Sequence, residues 1–317
     1  MSLLLHHVAL CAPLFLLVAL GWASMKVGLF DAKVSSGLGR FTFRFLMPVL
    51  LFKLMSGFAD MPPVDWRVLV AFFGSCTLVY GAGRLYYGRA FGTDAAGTTV
   101  LAMAGIFGNN VQLGVPIVQA SLGPAAMPTI SILIIFNVLL LWTVAIASVE
   151  LGRYGRIKNL RDVMKPMLKV FRTPVVLGIL AGTLWSATGL SLPDVLQKPV
   201  DMVAASTTPI CLIVVGMGLA QHSFTAGLAK GLSAAAAKLA LQPVLVWAIA
   251  RLMDLGEMET NACVVLSSLP VAINVFLMSQ DFGAEEGAAS NAIFVSTFLS
   301  ALTVPLVLTV LGVAAGP

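Results

Sequence analysis

Apolar residues fall into ten long runs along the chain, all but one of the gaps between them short. The first five occupy about 3–25, 36–58, 66–88, 95–121 and 127–149. After one long polar stretch they resume at about 173–191, 199–221, 231–253, 260–281 and 291–313. A bilayer core about 30 Å thick needs about 20 apolar residues per helix. The pattern therefore predicts an all-α polytopic membrane protein with ten transmembrane helices and short loops, such as Asp60-Met61-Pro62-Pro63 and Gly283-Ala284-Glu285-Glu286. Composition agrees: 59% of the 317 residues are hydrophobic and 10% charged, against about 25% charged in a soluble domain. Water is excluded as the main solvent. The first run follows Met1-Ser2-Leu3 with no basic segment before it and is too long for a cleaved signal, so it reads as a retained span.

The long polar stretch, 151–172, carries Arg153, Arg156, Lys158, Arg161, Lys165, Lys169 and Arg172. It divides the chain into a first five-helix half, 1–150, and a second, 173–317. With that linker cytoplasmic, Lys26, Lys33, Arg40, Arg84 and Arg89 fall on the same side, and only Arg67, Lys198 and Arg251 lie opposite. The positive-inside rule then places both termini outside, in a bacterial host across the inner membrane. At an offset of 161, Pro13 matches Pro174, Gly21 matches Gly182, Gly28 matches Gly189 and Pro48 matches Pro209; at 160, Gly123 matches Gly283. Five spans per repeat send the second half through the bilayer in the opposite sense, the inverted-repeat plan of many secondary transporters.

Chemistry concentrates in two spans. The fourth reads Gly105-Ile106-Phe107-Gly108-Asn109-Asn110-Val111-Gln112-Leu113-Gly114-Val115-Pro116. Proline removes a backbone donor and crowds the carbonyl four residues earlier, and glycine leaves helical geometry cheaply. A helix broken at membrane depth is expected, tolerable only within protein or beside water. The ninth span pairs Ser267-Ser268-Leu269-Pro270 with Asn274 and, further on, Gln280. Paired interruptions at Pro116 and Pro270 point to a transporter's site. Two such helices crossing would aim positive half-helix ends at one point and favour an anion, with Asn109, Asn110, Gln112, Gly114 and Asn274 as binding candidates. The competing reading is that these amides join helices. Asn137, Gln242, Ser267 and Gln280 are candidates along the pathway, and Lys238 in the eighth span either snorkels or functions. Cys11, Cys76, Cys211 and Cys263 stand singly in apolar runs and read as packing. No metal cluster, nucleophile elbow or paired acid and base stands at membrane depth, so neither an enzyme nor a metal or organic cofactor is expected; coupling to H⁺ or Na⁺ stays open. The partners expected are a small organic anion and lipid, with no nucleic acid.

The stretches GIFGNNVQLGVPIVQASLG, FRFLMPVLLFKLMSGF and TTPICLIVVGMGLA resemble the auxin efflux carrier family, in its short bacterial form, within the bile/arsenite/riboflavin transporter-like superfamily. The resemblance implies crossing fourth and ninth helices, a scaffold of spans 1, 2, 6 and 7, and a transport domain of spans 3–5 and 8–10 moving like an elevator. It also implies carboxylate substrates such as malonate, malate or an auxin-like acid, and a homodimer through the scaffold. Asn109, Asn110 and Pro116 match the first crossover, Pro270 with Asn274 the second. A Na⁺-coupled symporter of the bile-acid carrier type and a ligand-sensing protein without turnover are the alternatives.

Overall fold

The computed structural model describes residues 3–57, 65–154, 174–221 and 227–313. The Asp60–Pro63 gap and residues 155–172 of the basic linker lie outside the described residues. Fourteen α-helices follow one another among the described residues: α1 Leu3–Lys26, α2 Ala32–Phe41, α3 Met47–Ser56, α4 Arg67–Phe91, α5 Ala95–Ala104, α6 Val115–Ser121 and α7 Met127–Tyr154, then α8 Pro174–Ala187, α9 Asp194–Ala220, α10 Leu228–Ala236, α11 Gln242–Leu252, α12 Glu257–Ser267, α13 Ile273–Phe282 and α14 Glu286–Val310. Among the described residues the single sheet-like pairing is an antiparallel bridge between Gly108 and Val271. Six helical units among the described residues (α1, α4, α7, α9, α10 with α11, and α14) are long and apolar enough to cross a membrane. The protein is an all-helical membrane protein.

Among the described residues three helical units carry a π-turn, at Thr42–Leu46, Asn110–Gly114 and Ala237–Leu241. Each ends one residue short of a proline: Pro48, Pro116 and Pro243. The cause is local. A proline ring collides with the carbonyl four residues back in a regular helix. Widening the preceding turn moves that carbonyl aside, and the N–H groups of Met47, Val115 and Gln242 reach back five residues, to Thr42, Asn110 and Ala237.

Helix pairs close tightly where glycine removes a side chain. A Cβ on Gly21 of α1 would run into the carbonyl oxygen of Ile213 in α9, and one on Gly216 of α9 into that of Val18. The α8 pair, Gly178 and Gly182, would each meet backbone of α3, 2.5 Å from the carbonyl oxygens of Pro48 and Phe52. Small residues let membrane helices approach backbone to backbone. So α1 lies along α9 and α3 along α8, while α3 also meets α9. Elsewhere α10 lies along α14, and α4 packs on α5 and α11. His7 joins the two ends of the chain: its ring nitrogens lie 2.9 Å from the Thr309 hydroxyl and 3.1 Å from the Val313 carbonyl. Ahead of α4, Asp65 accepts from the backbone N–H of Arg67 at 2.9 Å and from its Nε at 2.7 Å, which holds the Asp65 carboxyl below its usual range.

Candidate functional site

Two apolar runs are not continuous helices. Between α5 and the Asn110–Gly114 turn the chain is non-helical at 105–109, and between α12 and α13 at 268–272. The two openings face each other. Asn109 N–H donates to the Pro270 carbonyl and Ala272 N–H to the Phe107 carbonyl, each at 2.8 Å. Backbone freed by one break is thus satisfied by the other, as a low-dielectric setting demands. The Val271 N–H donates to the Ser296 hydroxyl of α14 at 3.0 Å. Pro270 lies within its break. Pro116 does not: it sits second in α6, and its local effect is the π-turn, while Gly105 to Asn109 make the opening. The Gln112 carbonyl, four residues before Pro116, accepts from the Cys211 thiol of α9 at 3.6 Å.

A small cavity of about 30 Å³ lies against this crossing, the place where the two breaks meet, lined by Asn109, Asn110, Gln112, Asn137 and Asn274 together with Phe43 and Ile134. Five of the amides singled out from the sequence come together here. Asn110 is 4% exposed and Asn137 2%. Among the described residues neither the Nδ2 nor the Oδ1 of Asn110 has a partner, nor does the Nδ2 of Asn137. Buried polar groups of native proteins are nearly always hydrogen-bonded, and an orphan costs roughly 1–3 kcal/mol. Two buried amides with unpartnered atoms thus line one cavity.

Two larger cavities flank the crossing. One of about 190 Å³ is lined by Ser35, Asn109, Gln112, Val214, Gly218 and Thr297. The other, of about 430 Å³, is lined by Lys53, Pro116, Gln119, Ala204 and Thr208. On α9 they meet residues 214–219 and 204–208, about 15 Å apart at 1.5 Å rise per residue, with Cys211 and its bond to Gln112 between them.

The remaining candidates sit elsewhere. Gly114 packs against the second broken helix, where a Cβ would stand 2.7 Å from Leu269 Cδ1. Ser267 is fully buried, its hydroxyl donating to Val264 at 2.8 Å. Gln242 is buried behind the crossing, donating to the Ile106 carbonyl and to Cys76 Sγ, both at 3.3 Å. Gln280 stands exposed near the far end of α13. Lys238 does not snorkel: it is fully buried, and its Nζ donates to the Ser267 carbonyl. Phe43 and Ile134 were not read from sequence, where they look like any apolar residue. Among the described residues no group of three or more His, Cys, Asp and Glu side chains gathers as a metal site.

The family model described as membrane transport protein matches residues 6–308. The chain belongs to that membrane transport protein family. Over 303 residues it is 26% identical to a Rhizobium meliloti protein named as a malonate transporter, covering 93% of this chain and 92% of that one. It is 19% identical to auxin efflux carrier component 8 of Arabidopsis thaliana, covering 87% and 89%. A lysosomal cholesterol signaling protein of Mus musculus is 23% identical over 90% of this chain but only 35% of its own length. The likeness read from the second, fourth and seventh spans to auxin efflux carriers is borne out. As a membrane transport protein the chain is an integral membrane protein acting on a small molecule, and not an enzyme.

Proposed function

We propose that this transport protein carries a small dicarboxylate of the malonate kind by alternating access, binding it at the crossing of its fourth and ninth spans. The orphaned amides of Asn110 and Asn137 carry the proposal. Asn110 Oδ1 lies toward Gly108, 2.6 Å from where a Cβ on that residue would be, which leaves its Nδ2 to donate to a carboxylate, with Asn137 Nδ2 as a second donor. Asn109 and Asn274 complete a rim of uncharged donors, and the starts of the Asn110–Ser121 segment and of α13 add partial positive charge. The small volume at the crossing and the larger cavities on either side suit a carrier that closes over its ligand and opens to one side at a time.

We read the ten apolar runs as two inverted halves. Left-handed glycines support the repeat: Gly28 and Gly189, with φ of 77° and 67°, and Gly123 and Gly283, with 74° and 64°, are related by the offsets 161 and 160. The contacts of Gly21 with Ile213 and of Gly182 with Phe52 are related by the same 161. In this reading α1, α2 with α3, α8 and α9 form a scaffold, and the remaining helices slide along it as an elevator. The likeness to the named malonate transporter favours a dicarboxylate.

Reconstituted vesicles test this directly. Radiolabelled malonate should accumulate saturably and be displaced by unlabelled malate. Asn110→Ala and Asn137→Ala should each lower uptake about tenfold or more, the equivalent of one lost hydrogen bond to a charged group, with normal yield of folded protein. Asn109→Ala and Asn274→Ala should reduce uptake less. Full activity in both buried-amide variants would remove the site. The likeness to part of a signaling protein favours a second reading, sensing without turnover, for which malonate would bind and yet not cross.

A further inference from the structure

Lys238 lines none of the three cavities at the crossing. It belongs to the Ala237–Leu241 π-turn and is fully buried, yet it joins none of the ion pairs of the described residues. An ammonium taken out of water without a counter-ion costs several kcal/mol unless its surroundings replace the lost hydration. What replaces it here is the end of a broken helix. Its Nζ donates to the carbonyl of Ser267, the last residue of α12. There the chain leaves the helix, and the final carbonyls lack intrahelical partners and carry partial negative charge. Gly108 clears the space: a Cβ there would lie 3.1 Å from both Cε and Nζ of Lys238. One turn further on, Gln242 donates to the Ile106 carbonyl at the other break. Two side chains of one helical unit thus hold the open ends of both broken helices from behind.

Such carbonyl ends are where membrane carriers bind coupling cations. We propose that Lys238 is a tethered cation occupying that place. The protein therefore holds its crossing together, and offsets the charge of a bound anion, with its own ammonium and without a free monovalent ion. Lys238 is a positioning residue: it lines none of the cavities described, and acts through the Ser267 carbonyl and the backbone at Gly108.

The test uses the full-length protein, purified and reconstituted. The uptake arm rests on the carrier reading; the thermal arm needs no substrate. For the wild type, melting temperature and malonate uptake should be the same in sodium, potassium and choline chloride. A saturable dependence of either on Na⁺ overturns the proposal, whatever the variants do. Lys238→Ala should melt lower than wild type, and propylammonium, the fragment deleted, should raise its melting temperature saturably by several degrees, which choline should not. An unchanged melting temperature with no response to propylammonium overturns the proposal. Should the alanine variant not fold, Lys238→Met keeps the volume and removes the charge, and is expected to fold with uptake at least tenfold lower. Full uptake by that variant overturns the proposal too. Failure of wild-type protein to carry malonate, with propylammonium rescue intact, sinks the carrier reading and leaves the tethered cation standing.

Discussion

At the level of single residues the crossing is crowded, and its glycine is as specific as its amides. A methyl group on Gly108 would stand 2.6 Å from Asn110 Oδ1 and 3.1 Å from Lys238 Nζ, so it must displace one of two buried polar groups. Gly108→Ala is expected to lower uptake about tenfold or more, by misplacing a donor that cannot be re-solvated. Gly81→Ala, where nothing stands within 4 Å, should leave uptake unchanged. A second prediction concerns the pair before α4. Arg67 donates to Asp65 from its backbone and guanidinium and also to the Met253 carbonyl. The Asp65 carboxyl is held low in the folded state, so its contribution is present above the unfolded value of about 4 and fades as pH falls through the folded one. Asp65→Asn should melt slightly lower than wild type at pH 7, on the order of a degree for a half-exposed pair. The difference should shrink to nothing as melts are repeated toward pH 2.

At the level of elements, glycine and proline do opposite work. Proline sets the π-turns before Pro48, Pro116 and Pro243, and so decides which way Phe43, Gln112 and Lys238 face. Glycine sets the distance between helices. Gly21 and Gly216 let α1 touch the backbone of α9 from both sides, and Gly178 with Gly182 do the same for α8 on α3. Because the obstacles are carbonyl oxygens of regular helices and not flexible side-chain ends, neither helix can yield locally. Gly21→Ala and Gly182→Ala should each destabilise by about 1–3 kcal/mol, as overpacking does, which thermal melts would register as a loss of several degrees. Gly37→Ala, with no atom within 4 Å of its Cβ position, is the control. Equal melting of all three variants would contradict the close approach.

At the level of the whole molecule, α9 carries the separation between the two larger cavities. Its residues 204–208 line one and 214–219 the other, and Cys211 between them meets Gln112 of the crossing. If the crossing slides past α9 during transport, fixing that contact must stop the cycle. Gln112→Cys, paired with the native Cys211 and bridged by Hg²⁺, should lose uptake within one treatment and regain it on adding a dithiol. The wild type, which has Cys211 but no cysteine at position 112, sets the baseline under the same treatment. Uptake that persists with the bridge shown formed would argue for a gate elsewhere.

Much of this was readable along the chain because the causes are local. Lipid imposes length and apolarity on every span, so the runs around 3–25, 66–88 and 199–221 locate α1, α4 and α9 directly. Glycine, asparagine and proline act on their own backbone, so the interruption near Gly108 and Pro270 is written in the residues that make it. What only the tertiary structure decided is who meets whom. Asn137 joins Asn110 on one cavity, and Ser296 caps the Val271 N–H. Gln112 and Gly114, two residues apart, part company: one lines the cavities and the other packs on Leu269. Lys238, readable as a snorkelling residue, turns inward to a carbonyl 29 residues ahead. Hydrogen-bond satisfaction in a medium without water depends on partners far away in the chain, and no local pattern records it.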